Sequence, residues 1–171
     1  ILTSEDQSNM IRHYDEHNQS LETMSRYSEL KIFSFFAGSG FLDLGFENAG
    51  FSVDFVNEFS PSFMNAYKYA RKKMSIQEPA YGYANCDIND FLGSKSSELK
   101  ECIRKSRADA NLVGFIGGPP CPDFSVAGTQ KGRDGDNGKL SQSYVDLIIA
   151  QQPDFFLFEK IFLPSAQIIK I

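Results

Sequence analysis

The chain has no tryptophan, two histidines and three cysteines among its 171 residues. Each shortage removes a class of chemistry. His13 and His17 stand one helical turn apart, a spacing that suits a metal pair, but no third ligand lies near them. Cys86, Cys102 and Cys121 fit no zinc spacing, so no metal site is expected. An odd cysteine count without a secretory signal points to reduced thiols in an intracellular setting. Both histidines lie near the N-terminus, which argues against a hydrolase of the Cys–His type. No apolar run approaches the roughly 20 residues that span a bilayer. Basic excess is missing too. Lys and Arg number 17 against 22 Asp and Glu, a net charge of −5 that argues against a protein coating nucleic acid electrostatically. Any grip on phosphates must be local or come from another segment.

What is present builds a core. Apolar residues make up 42% of the chain and Phe alone contributes 16, which excludes a disordered polymer. Residues 1–29 read as an amphipathic helical extension. Met10, Tyr14, His17, Leu21 and Met24 recur at steps of four and three, a stripe that packs on the domain or on a partner. Residues 30–171 follow a different grammar. "LKIFSFF", "FSVDFVNEF", "ANLVGFIGG" and "PDFFLFEK" read as apolar strands, with "YGYANCDIND" a weaker one. Between them "FLDLGFENAG", "SPSFMNAYKYARKKM", "SSELKECIRKSR" and "SQSYVDLIIAQQ" read as helices, with Ser60 at an N-cap, Pro61 at the first helical position and Gly50 closing the first of them. Apolar strands alternating with helices predict an α/β fold, a Rossmann-like, mostly parallel sheet with helices on both faces.

Ligands in such folds bind at the carboxyl ends of the strands, and each unusual motif falls at such an end. "FFAGSGFLD" is a glycine-rich turn that lets backbone approach a ligand; taken alone it fits a nucleotide-like cofactor or a tight turn equally. Glu58 ends the second strand, 18 residues after Gly40, where an acid can accept both hydroxyls of a ribose. Asp87 and Ile88 can add a hydrogen bond to an adenine amino group and an apolar wall, although Asp87 also suits a helix cap. Cys121 sits in "GGPPCPDFS", where two glycines clear space and three prolines fix φ and remove donors. A structural thiol normally lies on an apolar face, and this one lies in a stiff loop at the ligand edge.

Taken in order, "FSFFAGSGFLDLGFENAGF", "NEF", "CDI", "GGPPCPDFS" and "FLFE" resemble the motifs of the cytosine-C5 DNA methyltransferases, over about residues 30 to 160. These enzymes use S-adenosylmethionine to methylate cytosine in DNA, many of them in restriction-modification. The resemblance implies a class I methyltransferase fold in truncated form. It implies that Cys121 attacks C6 of the ring, and that Glu159 hydrogen-bonds N3 and the exocyclic amine, a general-acid role. On the cofactor side it matches Phe36, Ala37, Gly38 and Gly40 to the methionine-side loop, Glu58 to the ribose acid, and Phe59 to the aromatic against adenine. Asp87 and Ile88 match the adenine pair, and Pro120 and Leu140 further contacts. It puts Ser125 near the target nucleotide and makes "GTQKGRDGDNGKL" a mobile loop over a flipped base, with Lys131 and Arg133 meeting phosphates.

The chain departs from that pattern in three places. Pro122 follows the nucleophile where the family often has Gln, and Lys160-Ile161 follows the glutamate where Asn-Val is usual. Nothing after Glu159 resembles a target-recognition domain or the late motif that completes the cofactor pocket. DNA binding would then need a second subunit or a C-terminal segment. A cofactor-binding remnant without catalysis, and an RNA cytosine methyltransferase, remain alternatives on these residues.

Overall fold

The structure, a computed structural model, describes residues 30–109, 112–120 and 136–159. The expected N-terminal helix, the cysteine loop and the segment after Glu159 lie outside the described residues. The elements run β1 (Leu30–Phe35), α1 (Phe41–Asn48), β2 (Ser52–Asn57), α2 (Pro61–Met74) and β3 (Tyr83–Ala84). A 3-10 turn (Ile88–Phe91) follows, then α3 (Ser96–Asp109), β4 (Leu112–Gly117), α4 (Asp136–Gln151) and β5 (Phe155–Phe158). The five strands form one sheet in the order β3-β2-β1-β4-β5, every pair parallel. The sequence reverses direction across the sheet between β1 and β4, which opens a crevice at the carboxyl ends.

Two apolar clusters lie on opposite faces of this sheet. Phe33, Phe35, Phe55, Phe91 and Phe115 pack with Leu99 and Ile103 of α3 and Tyr144 and Leu147 of α4. Val53, Val56, Met64 and Tyr67 form the cluster toward α2. Val53 and Val56 are three residues apart, yet both face α2. The β1–β2 register shifts between Ile32 and Phe33, and the extra residue, Asp54, resets the alternation. A side chain alternates faces with period two, so without the bulge one of these valines would point the other way.

Several boundaries differ from the sequence reading. The weak third strand is two residues long, and Asp87 then caps the 3-10 turn by accepting from the Asn89 backbone N–H at 2.8 Å. Helix α4 starts at Asp136, so Gly138 and Leu140 belong to a helix and not to a mobile loop. Asp and Asn favour a helix start, and Gly138 is buried where a side chain would need room. Ser60 takes the N-cap position before Pro61, but its side chain makes no capping bond. Gly50 ends α1 as expected, with φ at 91° and its N–H donating to Glu47 O at 2.9 Å.

Candidate active site

Glu58 is the best-fixed polar group at the carboxyl edge of the sheet. It is 8% exposed, and both carboxylate oxygens already accept backbone N–H groups. Gly38 N–H donates to Oε2 at 2.8 Å and Ser60 N–H to Oε1 at 2.7 Å. Each carboxylate oxygen has room for a second donor, so a clamped carboxylate can still take a pair of hydroxyls in a fixed direction. Asn85 braces the same stretch from behind, its Nδ2 donating to the carbonyls of Glu58 at 2.7 Å and Phe59 at 2.9 Å. Asn57 ties the ends of β2 and β3, donating to Ala84 O at 3.0 Å and Cys86 O at 2.9 Å. The Phe59 ring is 68% exposed, an unusual state for a phenylalanine beside a buried carboxylate. Asp87 is held through Asn89, whose amide oxygen accepts from Ser143 Oγ of α4 at 2.8 Å.

A second cluster lies at the ends of β1, β4 and β5. A cleft of about 180 Å³ is lined by Ser34, Phe36, Ala37, Asp43, Gly118 and Glu159, among others. Phe36 stands in the left-handed region with φ at 52°, a conformation that costs a non-glycine residue about 1–3 kcal/mol and clusters at functional sites. Its ring packs edge-on against Tyr144 at 6.0 Å. Two glycines expected to clear space do so for identifiable neighbours. A Cβ on Gly117 would fall 2.8 Å from the Tyr144 ring, and one on Gly118 would fall 2.7 Å from Glu159 Oε2. Glu159 itself is exposed, and its N–H continues the β4–β5 ladder to Gly117 O at 2.8 Å.

The structure therefore brings Phe36, Ala37 and Glu159 into one cleft and links Gly38 to Glu58 by a hydrogen bond. Ile88 is 2% exposed and packs in the aromatic core, with Leu140 partly buried against the same cluster, so their side chains serve packing. Cys121, Ser125, Lys131 and Arg133 lie outside the described residues. The other two thiols, Cys86 and Cys102, are pushed up by burial and are poor nucleophiles. Sequence reading missed Ser34, Asp43, Asn57, Tyr67 and Asn85. A signal existed for two of them. Asp43 and Glu47 are four apart on α1, Tyr67 and Arg71 are four apart on α2, and such pairs share a helix face.

Comparison with known proteins identifies the family. The model of the C-5 cytosine-specific DNA methylase family matches residues 30–161. The chain belongs to this family. Among its curated relatives, the type II methyltransferase M.NmeDI of Neisseria meningitidis serogroup C is 58% identical over 131 residues, covering 76% of this chain and 31% of that protein. M.MthTI of Methanothermobacter thermautotrophicus is 37% identical, covering 77% of this chain and 34% of its own length. A crystal structure of a prophage-encoded E. coli DNA modification methyltransferase candidate superposes with a TM-score of 0.53 at 26% identity, covering 75% of this chain and 31% of that one. The chain thus spans about a third of the length of these relatives. Among the described residues of this C-5 methylase chain, no helix is long and apolar enough to cross a membrane.

Proposed function

We propose that this chain forms the cofactor-binding and catalytic part of an enzyme that transfers a methyl group from S-adenosylmethionine to C5 of cytosine in DNA. The observation that carries this reading is the pairing of the Glu58 clamp with the Glu159 cleft, joined through residues 36–38. The residues fit an adenosyl ligand. Glu58 offers a directed pair of acceptor sites, Phe59 an exposed ring, and Gly38 open space where an added Cβ would meet nothing within 4 Å. Phe36, Ala37 and Gly40 would flank the methionine end, with Asp87 at the adenine. Bound there, S-adenosylmethionine supplies an electrophilic methyl on a sulfonium.

The chain's own residues would do the rest. Cys121 adds its sulfur to C6 of a base rotated out of the duplex, which makes C5 electron-rich. Glu159 hydrogen-bonds N3 and the exocyclic amine and draws charge from C6. Once C5 has taken the methyl, leaving S-adenosylhomocysteine, loss of the C5 proton to a base expels the sulfur and restores the ring. Support for pairing the two comes from the sequence, in which Cys121 follows by three residues the glycine, Gly118, that Glu159 Oε2 lies against. Ser125, Lys131 and Arg133 would approach the target nucleotide and its phosphates. With a net charge of −5, most of the grip on DNA would come from a second subunit or from further chain.

The test is covalent trapping on DNA carrying 5-fluorocytosine, run with the intact protein and S-adenosylmethionine. An adduct that survives denaturation is expected for the wild type and absent in Cys121→Ser. Glu159→Gln should slow its formation at least about a hundredfold. A wild type that binds cofactor and DNA yet forms no adduct would leave only the remnant reading.

A further inference from the structure

Beneath the glycine loop runs a chain of buried polar groups that the proposed chemistry does not use. Asp43 of α1 is 1% exposed, the one fully buried residue of that helix. Ser34 Oγ donates to its Oδ1 at 2.6 Å, and Tyr67 OH donates to its Oδ2 at 2.6 Å. Arg71 Nη1 donates to the Tyr67 oxygen at 3.2 Å, which leaves the phenolic proton for Asp43. The guanidinium is itself held by Glu47, with contacts of 3.0 and 2.8 Å. Three elements, β1, α1 and α2, are thereby locked in one geometry.

That geometry reaches the ligand edge through Gly40. Its φ is +89°, and a Cβ there would fall 2.6 Å from Tyr67 Cε2, so the tyrosine ring occupies the space a side chain would fill. Gly40 N–H in turn donates to Ala37 O at 2.9 Å. The loop is therefore anchored twice, at Gly38 by Glu58 and at Gly40 by the Tyr67 ring. Ser34 and Asp43 also line the cleft that holds Phe36, Ala37 and Glu159.

Resting on the reading above, we propose that Asp43 and Tyr67 are positioning residues for the methionine end of the cofactor. They fix the ring against Gly40 and so set the course of residues 36–40, while Glu58 and Phe59 hold the nucleoside end independently. The two ends can be separated with two ligands. S-adenosylhomocysteine engages both; 5′-methylthioadenosine has no amino-acid arm and engages only the nucleoside end.

Titration calorimetry of the intact protein with each ligand tests this. Tyr67→Phe keeps the ring over Gly40 and removes only the hydroxyl. It should weaken S-adenosylhomocysteine about tenfold and leave 5′-methylthioadenosine within about twofold. Asp43→Asn should show the same split; if it does not fold, Tyr67→Phe decides alone. Equal weakening of both ligands would mean general loosening, and no weakening of either would mean the relay does not reach the loop; each overturns the proposal. A wild type that binds neither ligand would instead sink the cofactor site itself, and this inference with it.

Discussion

The two faces of the sheet are built from different materials. Toward α3 and α4 the contacts are aromatic: Phe35 alone lies within 6.0 Å, centroid to centroid, of Phe55, Phe91, Phe115 and Tyr144. Toward α1 and α2 a smaller apolar cluster of Val53, Val56 and Met64 is joined by buried hydrogen bonds among Ser34, Asp43, Tyr67, Arg71 and Glu47. Apolar packing is non-directional and tolerates small shifts, whereas a buried polar chain has one satisfied arrangement and penalises others. The aromatic face supplies stability. The polar face supplies direction, and it is the one that meets the glycine loop.

The sharpest way to break this division is to truncate the aromatic face. Phe115→Ala should cost about 3–5 kcal/mol of unfolding free energy in denaturant titrations, because Phe115 is fully buried. The folded fraction should bind S-adenosylhomocysteine as the wild type does. A collapse of affinity in molecules that remain folded would show that both faces direct the ligand. Next in size is overpacking near the β4–β5 pair. A Cβ at Gly114 would lie 2.1 Å from the Phe155 ring, so Gly114→Ala should cost about 1–3 kcal/mol. A neutral result would mean that the edge strand yields freely.

The smallest effect tests the polar face through pH. Burial raises the Asp43 carboxyl above its ordinary 3.8, outweighing the hydrogen bonds from Ser34 and Tyr67, while Glu47 adds to the rise and Arg71 opposes it. The folded state thus holds this proton more tightly than the unfolded state. The stabilisation that comes with it is complete below about pH 3.8 and is lost as pH rises through the folded value. The stability of the wild type minus that of Asp43→Asn should therefore fall as pH rises from about 4 towards neutrality, read by denaturant titration at each pH. A flat or rising difference would show that the carboxyl is not paying for its burial.

Much of the fold was legible because its strands are nearly all apolar, and only a sheet covered on both sides buries such strands. The β2 bulge was not legible, since "SVDFVN" alternates plausibly in either phase and the pairing with β1 decides which. The early start of α4 was hidden by Gly138 and its polar neighbours, which read as loop until packing gives the glycine a reason to be helical. At the site, strand ends pointed to Glu58, Asp87 and Glu159. They could not reveal Asn85 or Asn57, whose work is done on backbone carbonyls of another strand and leaves no mark on local spacing. The burial of the Ile88 side chain was not legible either, because a residue beside a ligand edge can point inward and hydrophobicity alone does not tell which way.

The extra residue in β2 also makes this strand sensitive to register in a way no point substitution mimics. From Phe55 onward, the facing of every side chain is set by Asp54 being counted once more than its partner strand requires. One-for-one pairing with Asp54 kept in the ladder would turn the downstream half of the strand over, sending Phe55 toward the polar relay and aiming Glu58 away from Gly38, whereas deleting Asp54 itself would leave Val53 and Phe55 opposite Ile32 and Phe33 with their facing intact. Asp54 is thus the spare residue of this strand, and the aim of the carboxylate depends on its staying out of the one-for-one ladder.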